Sequence, residues 1–350
     1  MKKSKKTRFL AIDLCCGCGG LSLGLKRAGF DILAAVDNDP LSVETYRMNH
    51  RTTHVVEDDI HSIDPAALMK DLNLNRGNLD LLAGCPPCQG FSTLRTFNGN
   101  RQVDEEMNDL IFEFVRFARV FLPKALMIEN VPALLRDDRL KKVWRELEDL
   151  GYRCNADVFD AEEYGVPQRR LRMIFFAFRG CCPAFGSPSR KRSNVAEAIR
   201  RLPSPEVSKD PAHNYRVRRS ERVKTLISLI PKNGGSRKDL PDEYQLECHK
   251  RFKGFHDVYG RMSWRKPAPT ITGGCINPSK GRFLHPEEDR SITLREAALL
   301  QGFPKSYRFA MERGRHPVAQ LIGNAFPPEF AERHAKSIRR HLEKHTRTDM

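Results

Sequence analysis

The sequence contains no apolar run as long as the roughly 18 residues that suggest a membrane-spanning helix. Its first six residues include four lysines and none of the apolar core of an export signal. We therefore expect a cytoplasmic protein with no membrane partner. Acidic residues are also few, since 44 Asp and Glu stand against 60 Lys and Arg and leave a net charge of +16.

The ten cysteines are too sparse in 350 residues to form the dense disulfide framework of a small secreted protein. In a reducing compartment we expect them to be free thiols. Cys85 and Cys88 form a Cys-x-x-Cys pair, which can bind a metal or act in redox chemistry. No second pair follows at the spacing of a zinc site, so we expect no metal.

Half of the net charge falls in one region. Residues 181–260 contain 17 Lys and Arg against 9 Asp and Glu, a net +8 in less than a quarter of the chain. The region is rich in proline and lacks hydrophobic periodicity. This composition favours a small, irregular domain that binds a polyanion, and a merely solvated basic face is the alternative.

The chain begins with the pattern of a nucleotide-binding βαβ unit. An apolar strand over residues 8–14 is followed by a glycine-rich turn, then by a helix over 21–28 that ends at Gly29. The next strand, over 30–36, ends in Asp37, which lies 24 residues beyond Asp13. An acid at that distance commonly binds the hydroxyl groups of a ribose.

The glycine pattern indicates which nucleotide is bound. A dinucleotide loop needs Gly-x-Gly-x-x-Gly so that the backbone can approach a pyrophosphate, and Ser22 stands at the third glycine position. A site that can bind a ribose but lacks the pyrophosphate-binding pattern favours S-adenosylmethionine as the cofactor. It argues against a nicotinamide-dependent oxidoreductase. Asp58 and Asp59 follow a further short apolar segment, and the second of these acids could bind the adenine amino group.

Two further strands end in side chains that can do chemistry. The apolar run over 79–83 leads into Gly84-Cys85-Pro86-Pro87-Cys88, a stiff turn that can present a thiolate to an electrophilic carbon. A half-buried structural cysteine is the alternative. The strand over 125–128 ends in Glu129, which could instead be a helix cap or a solvated loop acid.

Two arginines enter a later strand at alternate positions. Strands over 152–159 and 171–178 flank a turn that contains Gln168, and alternation predicts that Arg170 and Arg172 lie on one face. They could clamp an anion or a base edge, and surface ion pairing is the alternative. Helices are predicted over 40–49, 108–121 and 140–150, in a capped segment over 293–304, and in a last helix that begins with the segment 320–328.

Taken together, these stretches resemble the ordered motifs of the DNA (cytosine-5) methyltransferase family of bacteria and phages. The resemblance covers about residues 8–178 and 260–342. The matching segments are DLCCGCGG at 13–20, PPCQ at 86–89, ENV at 129–131, QRRLR at 168–172, Arg295-Glu296 with QGFP at 301–304, and GNA at 323–325. Six motifs in the family's order are a very specific match.

The resemblance implies an α/β fold, in which a doubly wound, mostly parallel, Rossmann-like sheet binds S-adenosylmethionine. It implies a catalytic domain over 1–180, a small target-recognition domain over 181–260, and a segment over 261–350 that returns to complete the catalytic domain. Double-stranded DNA is then the substrate, bound in a cleft between the domains. We expect a monomer, with a cognate restriction endonuclease as a functional and not a physical partner.

The resemblance also implies roles for residues. Cys88 is the nucleophile that attacks C6 of a flipped-out cytosine, and Glu129 is the acid at N3. Arg172, with Gln168 and Arg170 near it, lines the pocket. The cofactor-binding positions are Asp13, Cys15, Gly17, Gly19, Gly20, Asp37, Asn38, Asp59, Ile60, Pro87, Leu110, Asn324 and Ala325. Candidate DNA-reading residues in the basic region are Arg216, Arg218, Arg219 and Arg237.

Three residues depart from the family's pattern. Cys15 replaces a phenylalanine beside the adenine, Cys85 replaces a glycine, and Asp37 replaces a glutamate. We expect altered cofactor affinity and intact chemistry. A further hypothesis is that oxidation of the loop cysteines at 15, 16, 18, 85 and 88 inactivates the enzyme.

Two other functions compete with this interpretation. An enzyme of the same fold that acts on tRNA shares the motifs, but its Cys-Phe-Thr tripeptide is absent here and the long basic region favours DNA. A catalytically inactive DNA-binding module would not need Cys88, Glu129 and Arg172 together.

Overall fold

The computed structural model describes residues 8–87, 109–215, 217–245 and 257–348. The chain divides into two compact units. Unit 1 contains Met1–Asp160, Leu171–Pro188 and Pro328–Met350, and unit 2 contains Ala161–Arg170 and Ser189–Pro327. Of the predicted return segment over 261–350, only the part from Pro328 onwards is therefore in unit 1. The assignment of cofactor and DNA binding to separate domains stays a prediction.

A seven-stranded sheet forms the centre of unit 1. Its strands run in the order β3-β2-β1-β4-β5-β7-β6. Their bounds are β1 Phe9–Leu14, β2 Phe30–Asp37, β3 His54–Glu57, β4 Leu81–Gly84, β5 Ala125–Asn130, β6 Tyr152–Asp160 and β7 Leu171–Arg179. β1 to β5 are parallel, and β7 is antiparallel to both β5 and β6. This is the predicted doubly wound, mostly parallel sheet.

Helices cover the sheet of unit 1. They are α1 Gly20–Ala28, α2 Pro40–Asn49, α3 Pro65–Asp71, α4 Leu110–Phe121, α5 Asp138–Asp149 and the last helix, which is α10 Pro328–Thr348. Because helices lie on both faces, β4 and β5 are buried at every position, whereas residues 153–158 of the edge strand β6 alternate between exposed and partly buried. The core consists of strand residues such as Ile12 and Leu82 packed against Phe114 and Phe117 of α4.

Unit 2 contains α6 Val195–Ile199, α7 Glu221–Leu229, α8 Leu294–Leu300 and α9 Arg315–Asn324. The first two lie in the region predicted to be irregular. Leu226, Ile227 and Leu284 belong to its small core. The fully buried guanidinium of Arg261 donates to the carbonyl oxygens of Ile227, Ile230, His285 and Glu288, and so organises the loops around that core.

The predicted start of the last helix is wrong. Gln320 lies in α9, which ends at Asn324, and α10 begins only at Pro328. Pro327 and Pro328 explain the break, because a proline disfavours helical backbone in the residue before it and is well accommodated at the first position of a new helix. Within the part of the chain that the structure describes, no helix is long and apolar enough to cross a membrane.

Candidate active site

The candidate site of unit 1 lies where four parallel strands end. The glycine-rich loop follows β1, Asp37 ends β2, Cys85 follows β4, and Glu129 lies near the end of β5. The register of the sheet aligns Leu14 with Gly84 and Gly84 with Ile128, so these ends are side by side. In open α/β sheets this carboxyl edge is where ligands bind.

Asp37 holds the glycine-rich loop in place. Its Oδ2 accepts the amide hydrogen of Gly17 at 2.8 Å, and its Oδ1 accepts that of Asp39 at 3.0 Å. Gly17 and Gly19 have φ values of +52° and +86°, a backbone conformation that favours glycine. Burial raises the pKa of Asp37. Each carboxylate oxygen retains a second lone pair, so Asp37 can still accept ribose hydroxyl groups.

Asp13 has a different position from the one expected for a cofactor contact. It is fully buried, and its Oδ2 accepts a hydrogen bond from the Ser22 hydroxyl at 2.6 Å, which in turn lies 2.7 Å from the Tyr46 hydroxyl. Burial raises the pKa of Asp13 to about 7, against the opposing effect of the Ser22 hydrogen bond. Ser22, at the third glycine position, therefore belongs to a buried network beneath the loop.

Carboxylates surround the thiol of Cys15, which has a φ of +57° in the loop. Burial raises the pKa of this thiol, and the negative charges of Asp37, Asp13, Asp59 and Glu113 raise it further. The site next to the loop is therefore negative. Such a site repels a pyrophosphate and attracts a cation, which fits the sulfonium of S-adenosylmethionine.

The loop after β3 is positioned by an arginine that was not among the predicted site residues. Arg116 of α4 donates to the carbonyl oxygens of Ile60 at 2.6 Å and Ile63 at 2.7 Å. Asp59 accepts hydrogen bonds from the amide and ring of His61, and these bonds lower its pKa. The side chain of Asp59 is 50% exposed, so it can accept an adenine amino group. The spacing of Arg116 from its ion-pair partner Glu113 was the available signal.

The turn after β4 needs a glycine. A Cβ at Gly84 would lie 2.1 Å from the carbonyl oxygen of Leu14 and 2.6 Å from the ring of Phe114. Cys85 donates its amide hydrogen to the same Leu14 oxygen at 3.3 Å. Cys88, with the rest of residues 88–108, lies outside the described residues. Its placement as the nucleophile stays a prediction.

Glu129 is buried and paired, not a solvated loop acid. It is 6% exposed, and its Oε1 lies 2.8 Å from Nε of Arg172 on the neighbouring strand β7. The Cys85 thiol also hydrogen-bonds Glu129, and burial together with the Glu129 charge raises the pKa of that thiol well above its usual value. The carboxyl group is thus held between a guanidinium and a neutral thiol.

Asn130 connects the turn before Cys88 with the strand that carries Glu129, and it was not among the predicted site residues. Its Nδ2 donates to the carbonyl oxygen of Pro86 at 3.1 Å, and its Oδ1 accepts the amide hydrogen of Val131 at 2.8 Å. The turn that leads to Cys88 is therefore tied to the strand that carries Glu129. The available signal was the position of this asparagine directly after Glu129.

Gln168 and Arg170 have partners within unit 2, unlike Arg172. The buried Gln168 accepts the amide hydrogen of Ile271 and donates to Leu300 and Gln301. Arg170 is 3% exposed and donates to the carbonyl oxygen of Ile271 at 3.1 Å. Both side chains thus have structural hydrogen bonds, and a direct role for them at the base stays a prediction.

The remaining predicted positions vary in exposure. Asn38 is exposed, Gly20 is buried, and Pro87 and Leu110 are partly buried. Asn324 and Ala325 belong to unit 2, where Asn324 is exposed and the Ala325 carbonyl accepts a hydrogen bond from Gln301. A Cβ at the neighbouring Gly323 would lie 2.2 Å from the backbone of Thr272, which explains that glycine.

The candidate DNA-reading arginines also differ. Arg218 is exposed, whereas Arg219 donates to the Ser291 hydroxyl at 2.8 Å and Arg237 donates to the Tyr244 carbonyl. Arg216 lies outside the described ranges. Arg218 is therefore the best placed of the described candidates to meet a base or a phosphate.

Burial also bears on the oxidation hypothesis for the loop cysteines. It raises the pKa of Cys18 to about 12 and that of Cys16 well above its usual value. Because the thiolate is the form that is oxidised, the described loop cysteines are poorly reactive. The hypothesis stays a prediction.

Comparisons with known proteins show what the whole chain is similar to. A family model described as C-5 cytosine-specific DNA methylase matches residues 9–340. The Type II methylase M.HgiDII of Herpetosiphon aurantiacus is 38% identical over 95% of each chain. The Type II methyltransferase M1.HphI of Haemophilus parahaemolyticus is 32% identical over 93% of this chain and 86% of its own length. A prophage-encoded chain from E. coli has the same fold, with a TM-score of 0.70 and 24% identity over 96% of this chain and 99% of that chain.

Proposed function

This chain belongs to the family of C-5 cytosine-specific DNA methylases, and we propose on that premise that Cys88, Glu129 and Arg172 carry out the chemistry on the cytosine ring. The enzyme methylates C5 of cytosine in DNA and uses S-adenosylmethionine as the methyl donor. The observation that supports the assignment is the buried pair of Glu129 and Arg172 at the end of β5, with Asn130 tying it to the turn before Cys88.

The residues around the glycine-rich loop fit S-adenosylmethionine. Nothing lies within 4 Å of a Cβ placed at Gly17, so there is room next to the loop. Asp37 and Asp59 are the residues that would bind the ribose hydroxyls and the adenine amino group, and the surrounding carboxylates would attract the cationic end. When bound, the cofactor supplies a methyl group on a sulfonium sulfur.

Cys88 makes C5 of the cytosine reactive. The ring is a poor nucleophile at C5 because its electrons are delocalised. Addition of the Cys88 thiolate to C6 turns C5 into an enamine carbon, which accepts a methyl group, and loss of the C5 proton then expels the thiol. A thiol with an ordinary pKa of about 8.5 must be activated before it can attack a ring carbon.

Glu129 supplies the proton that this addition needs. Thiolate attack at C6 moves negative charge to N3, so a protonated carboxyl at N3 stabilises the adduct. Arg172 fixes the orientation of the carboxyl group through Oε1, and the neutral Cys85 thiol adds a second hydrogen bond without adding charge.

The target base must leave the duplex, because C5 and C6 are stacked between neighbouring base pairs. Extrusion costs about a few kcal/mol, which protein contacts to the DNA must offset. The 17 basic residues within 181–260 are suited to phosphate contacts, and exposed arginines such as Arg218 are suited to base edges.

Trapping with 5-fluorocytosine tests the covalent step. A duplex containing this base cannot lose a proton at C5, so the protein should stay attached to it in a cofactor-dependent adduct. Peptide mapping should locate the bond at residue 88, and Cys88→Ala should abolish the adduct. Cys154→Ala, on β6 and without an assigned role in the chemistry, should retain it. An adduct that persists in Cys88→Ala would contradict the proposal.

We further propose that a restriction endonuclease with the same recognition sequence is the functional partner. The support is that both curated relatives above are named Type II enzymes. Bisulfite sequencing of DNA from cells that express the protein gives the methylated site. DNA modified in this way should resist an endonuclease that cuts at that site, and random methylation without a consensus would argue against the proposal.

A further inference from the structure

Three potential metal ligands, one thiol and two imidazoles, lie together in unit 1, away from the residues discussed so far. Sγ of Cys181 is 3.8 Å from Nε2 of His341 and 3.7 Å from Nε2 of His345. All three ligand atoms lie within 4.8 Å of one another. Cys181 and His345 are exposed and His341 is partly buried, so an ion can reach them from solvent.

The distances match those around a tetrahedral zinc ion. Bond lengths of about 2.3 Å to sulfur and about 2.0 Å to nitrogen, at a tetrahedral angle, place sulfur and nitrogen roughly 3.5 Å apart. The observed separations of 3.7 and 3.8 Å are close to this value. An ion could therefore bind without a rearrangement of the backbone.

Helix α10 already holds two of the three ligands next to each other. His341 and His345 are one helical turn apart on α10, and their ring centroids are 4.2 Å apart. Nδ1 of His345 lies 2.9 Å from the carbonyl oxygen of His341. Donation of the Nδ1 hydrogen to that oxygen leaves the Nε2 lone pair for a metal, as is usual for ligating histidines. The ring of His341 also packs edge-on against Phe178 of β7.

The chemistry of the three ligand atoms indicates which metal would bind. One thiolate and two imidazoles, with no carboxylate among them, suit Zn²⁺ and disfavour Mg²⁺ and Ca²⁺, which prefer oxygen ligands. The neighbouring Cys182 is not available as a fourth ligand in this arrangement, because its thiol donates to the carbonyl oxygen of Arg153 at 3.0 Å. We propose that Cys181, His341 and His345 bind one Zn²⁺ ion, with a water molecule in the fourth position.

This site is structural and separate from methyl transfer. It follows the end of β7 that pairs with the beginning of β5, whereas Glu129 lies at the other end of β5. The segment after β7 runs along α10, where Ala184 accepts a hydrogen bond from Ser337 and Gly186 donates one to His334. Zinc at Cys181 would add a third link, at the carboxyl end of the helix.

Metal titration of the chelator-treated full-length protein tests the proposal. Co²⁺ should produce a thiolate-to-metal charge-transfer band together with the visible bands of tetrahedral cobalt, and one equivalent of Zn²⁺ should remove both. Zinc at about 100 times its Kd should raise Tm by about 2 °C or more. Cys181→Ser, His341→Ala and His345→Ala should each lose the charge-transfer band and the Tm response.

Cys182→Ser is the matched control and should retain both signals, because its thiol faces the Arg153 carbonyl. Circular dichroism shows whether each variant has folded. Absence of the cobalt signal in the wild-type protein would overturn the proposal, and so would a signal that is equal in wild type and Cys181→Ser. The latter result would place the metal at other cysteines.

Discussion

Glu129 depends on neighbours that lie far from it in the sequence. Its partner Cys85 comes from the turn after β4 and its partner Arg172 from β7, and only the sheet order brings them together. The sequence predicted Glu129 and Arg172 from family motifs but gave no sign of their ion pair. It also identified the replacement at Cys85 without showing that the thiol would contact Glu129, because contacts between neighbouring strands depend on register.

Glu129→Gln should slow the chemical step about 10²-fold or more, since an amide cannot deliver a proton to N3. Single-turnover kinetics with labelled cofactor measure this rate directly. DNA affinity should change little, because the shape of the side chain is retained. Asp157→Asn on β6 is a suitable control, and an unchanged single-turnover rate in Glu129→Gln would contradict the assigned role.

Arg172→Ala should also reduce the rate, because it leaves the Glu129 carboxyl without its guanidinium partner. If Arg172 acts by orienting Glu129, the effects of the two substitutions should not add. A double-mutant cycle on the single-turnover rate measures this coupling. Fully additive effects would show that Arg172 acts independently of Glu129.

At the scale of elements, local signals predicted α1, α2, α4, α5 and α8, and they did not predict α3 or α6. Asp39 caps α2 through the amides of Leu41 and Ser42, and Thr293 forms the predicted capping box with Glu296 at α8. Local signals failed to predict a helix whose formation depends on tertiary packing. Helix α7 was not predicted, because its residues lie in a proline-rich, basic region whose few apolar positions pack on Leu240 and Leu284.

Gly24 allows α1 to pack closely on α10. A Cβ there would lie 2.5 Å from Cβ of Ala331, 2.6 Å from the Pro328 oxygen and 2.8 Å from the Glu332 nitrogen. Two of these atoms belong to the backbone, so Gly24→Ala should destabilise the protein by about 1–3 kcal/mol. Urea denaturation measures this change in stability. The exposed Arg27→Ala on the same helix should have little effect, and equal effects of the two substitutions would contradict the packing argument.

His334 gives the docking of α10 a pH dependence. Its Nδ1 accepts the amide hydrogen of Gly186 at 3.2 Å, and burial among aromatic rings lowers the pKa of His334 to about 3. Between about pH 6.5 and pH 3 the unfolded chain binds a proton at this site and the folded chain does not. Stability should therefore fall as pH decreases through this range.

His334→Gln should flatten this dependence, because glutamine does not titrate and can still accept a hydrogen bond. Denaturation curves for wild type and variant at pH 7.5 and pH 5 give the comparison. The free energy of unfolding of the wild type, minus that of the variant, should be smaller at pH 5 than at pH 7.5. A difference that is the same at both pH values would show that His334 does not control the acid response.

For the whole molecule, the net charge of +16 makes association with nucleic acid dependent on salt. Each phosphate that the protein neutralises releases condensed counterions, so the logarithm of affinity should fall linearly with the logarithm of salt concentration. With several phosphates bound, affinity for duplex DNA should fall about 10³-fold or more between 50 and 200 mM salt. Binding measured by fluorescence anisotropy gives the slope. Neutralising an exposed basic residue such as Arg218 should reduce the magnitude of that slope by about one if the residue binds a phosphate.

Salt dependence alone does not identify the nucleic acid, since tRNA is also a polyanion. Methyl incorporation separates the two substrates because it requires the target base to enter the site with C5 accessible. Duplex DNA that carries the recognised sequence should be methylated, and tRNA at the same phosphate concentration should not. The unmethylatable control is a duplex with 5-methylcytosine at the target position, which should bind with the same salt slope and accept no label. Equal incorporation into tRNA would mean that the basic region does not select DNA, and the proposed substrate would then have to be revised.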